Sequence, residues 1–256
     1  MKVTWYGTAT IGIEDGETKL LFDPFVRANP SLEKTSAYQF SKADALLVTH
    51  GHFDHIKPIP AITKMNHDLK VYCTETPSRT LKKMKVPDER IRVVKPGDSF
   101  SIGDFTIRVY HGKHVKYNSG YVKKVFARCT YLFPLTFYHE YFNIKMPEND
   151  EIVIYDVENH GKRVMIMGSY GTDDKVEYPE KPDMFVLPYG GSTAIGDLSY
   201  DFLNTLKPKK IMVSHFDDAF PPFTKRMDVE SFGKTVSGYG FDVDFIIPTE
   251  KVAVCV

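Results

Sequence analysis

The apolar run Ala45-Leu46-Leu47-Val48-Thr49 is followed at once by His50-Gly51-His52-Phe53-Asp54-His55. The first run lacks alternation, the pattern of a short strand covered on both faces, so the sheet it joins needs a packing layer on either side. The second places three imidazoles and a carboxylate within six residues, and these are the donors that borderline metals prefer. A loop leaving a buried strand can turn alternate side chains, His50 and His52, to one side, while Asp54 and His55 reach a different point. That spacing serves two metal ions, or one ion and a supporting network.

Around this segment the chain alternates short strands with helices. Strands are expected at Val3 to Tyr6, Thr10 to Glu14 and Lys19 to Asp23, with Asp15-Gly16 as a hairpin turn between the last two. Further strands are expected at Lys70 to Cys73, Ile91 to Val94, Phe105 to Tyr110, Glu151 to Val157, Arg163 to Met167, Met184 to Leu187, Ile211 to Ser214, Val243 to Ile247 and Val252 to Cys255. Helices are expected at Ile59 to Met65, from Thr76-Pro77 onward, at Leu198 to Leu206 and at Val229 to Val236. From about 115 to 150 the character changes, with aromatics from Tyr117 to Phe142 crowded into what reads as an insertion or lid. Strands in both halves with helices between them fit an α/β (α+β) fold of two sheets packed face to face, helices outside. At 256 residues the chain is read as one domain.

Composition narrows the partners. Lys plus Arg and Asp plus Glu number 33 each, so no long-range field favours nucleic acid or anionic membranes. No stretch approaches the ~20 apolar residues of a membrane span, and the amino terminus enters strand-like sequence without a signal-peptide pattern. Cys73, Cys129 and Cys255 are too few and too scattered for a disulfide framework. The expectation is a cytoplasmic protein acting on a small molecule, with a homo-oligomer left open.

Each set of donors needs a partner from another strand end. His111 and His114, in Tyr110-His111-Gly112-Lys113-His114, are candidates for the first ion, with His114 preferred because His111 lies close enough to its strand to be packed. His215, in Ser214-His215-Phe216, is the candidate for the second. Asp23 and Asp217 are candidates either to accept from ring nitrogens or to stabilise their own turns. Gly190-Gly191-Ser192 carries a weak signal for oxyanion or phosphate binding.

With these residues in place the sequence resembles the metallo-β-lactamase superfamily, whose H-x-H-x-D-H pattern stands here as His50 to His55. The likeness extends through Thr10-Ile11-Gly12-Ile13, Leu21-Phe22-Asp23-Pro24, the strand ending at Gly168, and His215. It implies a four-layer αββα sandwich with metals at one edge. It also implies a first ion on His50, His52 and His114 and a second on Asp54, His55 and His215, with Asp54 and His114 as the catalytic pair. Two Zn2+ ions are implied, with Mn2+ or Fe2+ as alternatives. Many relatives place a bridging aspartate where this chain has Ser169, so either two ions bind without a carboxylate bridge, or Asp173 or Asp174 reaches back to them, or the second ion is weakly held.

The function so implied is hydrolysis of a small-molecule ester, lactone or related bond by metal-activated hydroxide. The alternatives are a phosphodiesterase or nuclease of the same fold, and a metal-stabilised binding protein without turnover.

Overall fold

The computed structural model describes residues 1–27, 29–116, 119–120, 123, 146–147, 149–192, 194–219, 221 and 224–256. The segment expected to form an insertion or lid, 115–150, lies for the most part outside the described residues. The first half forms β1 (Lys2–Trp5), β2 (Ile11–Asp15), β3 (Thr18–Phe22), α1 (Ala37–Phe40), β4 (Ala45–Leu47), α2 (Phe53–Ile56), α3 (Ile59–Met65), β5 (Lys70–Cys73), α4 (Glu75–Lys83) and β6 (Ile91–Val93). Then come β7 (Ser99–Ile102), β8 (Phe105–Gly112), β9 (Ile152–Asn159), β10 (Lys162–Met167) and β11 (Met184–Pro188). The chain ends with α5 (Ile195–Leu206), β12 (Lys210–Ser214), α6 (Val229–Gly238), β13 (Asp244–Ile246) and β14 (Ala253–Cys255).

The strands make two sheets, ordered β14-β1-β2-β3-β4-β5-β6 and β13-β12-β11-β10-β9-β8-β7. In the first, pairing is antiparallel from β14 to β3 and parallel from β3 to β6. In the second it is antiparallel from β7 to β10 and parallel from β10 to β13. The Asp15-Gly16 turn closes the β2–β3 hairpin in the expected register, with Asp15 opposite Thr18 and Ile11 opposite Phe22.

The uninterrupted apolar run of β4 follows from its place between two cores. Ala45 and Leu47 face the core shared with the second sheet, alongside Phe22, Ile107 and Tyr155. Leu46 and Val48 face a second core with Phe40, Phe53, Ile59, Ile62 and Leu81 from α1 to α4. Across the sheets, the Phe22 and Tyr155 rings lie 5.7 Å apart, and the Tyr155 hydroxyl donates to the Val48 carbonyl at 2.9 Å. On the outside of the second sheet, Phe202 of α5 meets Phe185 of β11 at 5.4 Å. The order of layers is helix, sheet, sheet, helix. Among the described residues no helix is long and apolar enough to cross a membrane.

Beside the histidine run and the strand before His114 the backbone departs from expectation for local reasons. The ladder of β4 ends at Leu47 because the Thr49 amide donates to Asp23 Oδ1 at 2.8 Å instead of to a strand. β8 continues to Gly112 because His111 and Gly112 pair with Val153 and Ile152 of β9. Inside the histidine run the backbone turns helical at Phe53, with His52 as the extended residue before α2.

Candidate metal centre

β3 and β4 run parallel, and β8, β10, β11 and β12 share one direction in the other sheet. The residues just past these six strands therefore gather at one edge of the sandwich: Asp23, His50 to His55, His114, Gly168-Ser169, Gly190 and His215. A backbone bond from the Val153 amide to the Thr49 carbonyl, 2.9 Å, links the two sheets there.

The gathered side chains form two adjoining trios. His50, His52 and His114 make one, Asp54, His55 and His215 the other, and within each trio one potential ligand atom per residue lies within 4.8 Å of the others. The His50 and His55 rings, 3.9 Å apart, join the trios. His52 and His114 face each other at 4.7 Å between ring centroids. In the second trio, Asp54 Oδ2 is 3.1 Å from His215 Nε2, and Asp54 Oδ1 is 3.7 Å from His55 Nε2. Donor atoms sharing a tetrahedral ion at ordinary zinc bond lengths stand about 3.3 Å apart, so these separations suit a shared ion.

The ring orientations are fixed from behind. Thr49 Oγ1 donates its single proton to Asp23 Oδ2 at 2.6 Å. It then accepts from His50 Nδ1 at 3.1 Å, which puts the lone pair of His50 on Nε2. His114 Nδ1 is 3.0 Å from the Val115 carbonyl; a carbonyl only accepts, so this ring too carries its lone pair on Nε2. His55 Nδ1 lies 3.0 Å from Asp23 Oδ2, off the line of its N–H, an electrostatic contact more than a directed hydrogen bond. Asp23 thus supports one histidine of each trio. It is fully buried, sits in left-handed backbone at φ 46°, and accepts from Thr10 Oγ1 on its own carbonyl at 2.9 Å.

The charges follow the same plan. Burial, reinforced by the neighbouring histidines His55, His52, His114 and His215, pushes His50 well below the ordinary imidazole value. Burial also opposes charge on His55, but Asp23 and Asp54 outweigh it and raise that ring. For Asp54, burial pushes the carboxyl up, yet the His55 charge and the hydrogen bond from His215 prevail and hold it well below the usual carboxylate range.

All six expected ligands come together, and the pair after Tyr110 is resolved by alternation along the chain. His111 and Lys113 point to one side, where Asp173 Oδ2 lies 2.8 Å from His111 Nδ1 and Asp173 Oδ1 lies 3.1 Å from Lys113 Nζ; His114 points to the other side, at the trios. Asp173 is occupied with that pair, and Asp174 is largely exposed beside Lys113, so neither reaches back. Ser169 accepts the Val115 amide at 3.1 Å and steadies the His114 segment. Of the two roles held open for the carboxylates, Asp23 takes the side of the rings, through Thr49 to His50 and by charge to His55, and Asp217 the turn-stabilising one, serving the Thr8 amide and Arg27. Gly190 has a packing reason: a Cβ there would come within 2.8 Å of the His215 carbonyl. The parts that Thr49 and Gly168 play behind the rings were not anticipated. A threonine closing a strand reads as ordinary β-sequence, and the signal that could have found Gly168 is a glycine at a strand end in line with the histidine run.

A helix–sheet–sheet–helix sandwich with histidine and carboxylate trios past its parallel strands defines a class, the metallo-β-lactamase fold. The chain belongs to the metallo-β-lactamase superfamily: the model of the beta-lactamase superfamily domain matches residues 2–215. A UPF0173 metal-dependent hydrolase of Archaeoglobus fulgidus is 27% identical over 248 residues, 96% of this chain and 95% of its own. One of the same description from Salinibacter ruber is 25% identical over 245 residues, 94% of this chain and 95% of its own. Among solved structures, a metallo hydrolase from Ignicoccus hospitalis has a TM-score of 0.71 at 18% identity, over 99% of this chain and 97% of that one. An isothiocyanate hydrolase from Delia radicum gut bacteria has a TM-score of 0.65 at 16% identity, over 100% of this chain and 99% of that one. At these identities the structural likeness speaks for the fold.

Proposed function

We propose that this chain is a metal-dependent hydrolase whose two trios each hold a zinc ion, and that it cleaves a small-molecule ester, lactone or related bond. The observation that carries the reading is the donor set itself: five imidazoles and one carboxylate in two adjoining groups of ligating separation. Nitrogen and carboxylate oxygen suit Zn2+, with Mn2+ or Fe2+ as alternatives. Ions held there would acidify a water toward neutrality and polarise the bond under attack. His50 and His55 are buried, whereas His52, Asp54, His114 and His215 keep partial exposure, so substrate approaches from the side of these four. Asp54, held ionised by its histidine neighbours, would help hold an ion and would accept a hydrogen bond that orients the water. His114, across from His52, completes the first trio as the catalytic partner of Asp54.

The equal counts of acidic and basic residues favour a small substrate over a polyanion, and the named relatives are metal-dependent hydrolases. The two-sheet core, with β14 returning to pair with β1, supports a single domain spanning 1–256. Free Cys73 and Cys255 accord with a reducing, cytoplasmic setting.

The test is a substrate panel of esters, lactones, thioesters and phosphodiesters, offered to metal-loaded wild type and to His52→Ala. The expected result is turnover of a carboxylic ester or lactone, with His52→Ala holding fewer ions and at least about a hundredfold slower. Silence across the panel with both ions bound, or turnover confined to phosphodiesters, contradicts the reading.

A further inference from the structure

We infer that Arg27 is a positioning residue for His215, acting through Asp217 and the turn at Thr8; the inference rests on the two-trio reading of the centre. His215 stands at the end of β12 in left-handed backbone, φ 58°, a conformation that a histidine keeps only when its surroundings hold it. The hold comes from Thr8, itself left-handed at φ 51°. The His215 amide donates to the Thr8 carbonyl at 2.7 Å, and the Trp5 indole donates to the same oxygen at 2.9 Å. The Thr8 amide in turn donates to Asp217 Oδ2 at 3.0 Å. A closed loop results, from His215 to Thr8 and back to Asp217, two residues further along the chain.

Arg27 locks that loop. Its Nη1 lies 3.3 Å from Asp217 Oδ2, with the two side chains 2% and 5% exposed. The guanidinium also grips Glu250 with both prongs, Nη1 to Oε2 at 2.8 Å and Nη2 to Oε1 at 2.6 Å. The turn that closes over it uses glycine at residue 7, in backbone at φ 101° that other side chains rarely adopt, where a Cβ would come within 2.7 Å of Nη1. One cation therefore fixes the segment after β3, the end of β12 and the approach to β14.

Stability alone does not explain the arrangement, since a buried ion pair is on balance close to neutral against well-packed apolar side chains. A planar fork does fix two carboxylates in direction, which a point charge cannot. Asp217 and Glu250 also lie beyond residue 215, where the family match ends, so this support comes from the carboxyl-terminal part of the chain. The first trio has separate supports, Thr49 behind His50 and the Val115 carbonyl behind His114, neither of which passes through Arg27.

The test is calorimetric titration of metal-stripped, full-length protein with Zn2+, comparing wild type, Arg27→Lys, Asp217→Ala and His52→Ala. Wild type takes two ions. In Arg27→Lys and Asp217→Ala one ion binds as in wild type and the other about 10- to 100-fold more weakly, and the weakened ion is the one that His52→Ala leaves bound. Equal weakening of both ions, weakening of neither, or weakening of the ion that His52→Ala removes overturns the inference and leaves the two-trio reading standing. A wild type that binds fewer than two ions overturns that reading, and the inference with it. Should Asp217→Ala fail to fold, Arg27→Lys, which keeps the buried charge, decides the matter.

Discussion

Gly168 shows how tightly the support behind the histidines is built. Its backbone is unexceptional, yet a Cβ there would overlap the Thr49 side chain and come within 2.7 Å of Asp23 Oδ2. Gly168→Ala should therefore displace both residues that hold His50 and His55. The expected outcome is a loss of about 1–3 kcal/mol in denaturant unfolding, the usual effect of overpacking, together with reduced affinity at both trios; unchanged metal content would show that the Asp23–Thr49 pair does not govern the rings. Ser169→Ala should act on one trio only, because it strips the acceptor from the buried Val115 amide beside His114, at about 1–3 kcal/mol for a group left unsatisfied. At this scale the sequence was legible wherever grouping follows residue type: imidazoles and a carboxylate in a short run announce side chains that the fold then gathers. It left alternatives open where a role follows position. Asp217 stands two residues from His215 and still turns away from its ring, toward Thr8 and Arg27.

Among the elements, α4 depends on a residue far away in sequence. Thr74 precedes the helix without a side-chain capping bond. Glu151, at the start of β9, fills that role: Oε2 accepts the Thr76 amide at 2.7 Å and Oε1 the Thr76 hydroxyl at 2.6 Å. Burial pushes this carboxyl up, but the bonds from Thr76 prevail and set it below the ordinary glutamate value of 4.5. A depressed folded-state pKa contributes stability that is full above the unfolded value and fades as pH falls through the folded one. Glu151→Gln should thus lose about 1 kcal/mol at pH 7, with the difference from wild type shrinking below pH 4.5. Urea unfolding at a series of pH values checks this, and a penalty independent of pH would assign the effect to shape instead of charge. Most strands and the longer helices were legible because alternation and apolar periodicity report burial directly. The four-residue α1 and α2 were not, since one turn of helix is too short to display a period.

For the molecule as a whole, each sheet passes from antiparallel to parallel pairing, and the parallel halves aim their carboxyl ends at the same edge. That arrangement lets chain segments as distant as His50 and His215 supply one site. The layered architecture could be expected from the order of elements and the family resemblance. Strand order could not: nothing local in Ala253 to Cys255 announces that it pairs with Lys2 to Thr4, because that register is settled by the closing of both cores. The central claim is that two ions sit in the two trios. It is tested most directly by anomalous diffraction from crystals of the metal-loaded protein at the zinc edge. The account predicts two peaks, one within bonding distance of His50, His52 and His114 and the other of Asp54, His55 and His215; a peak away from these side chains, or none at full loading, would contradict it.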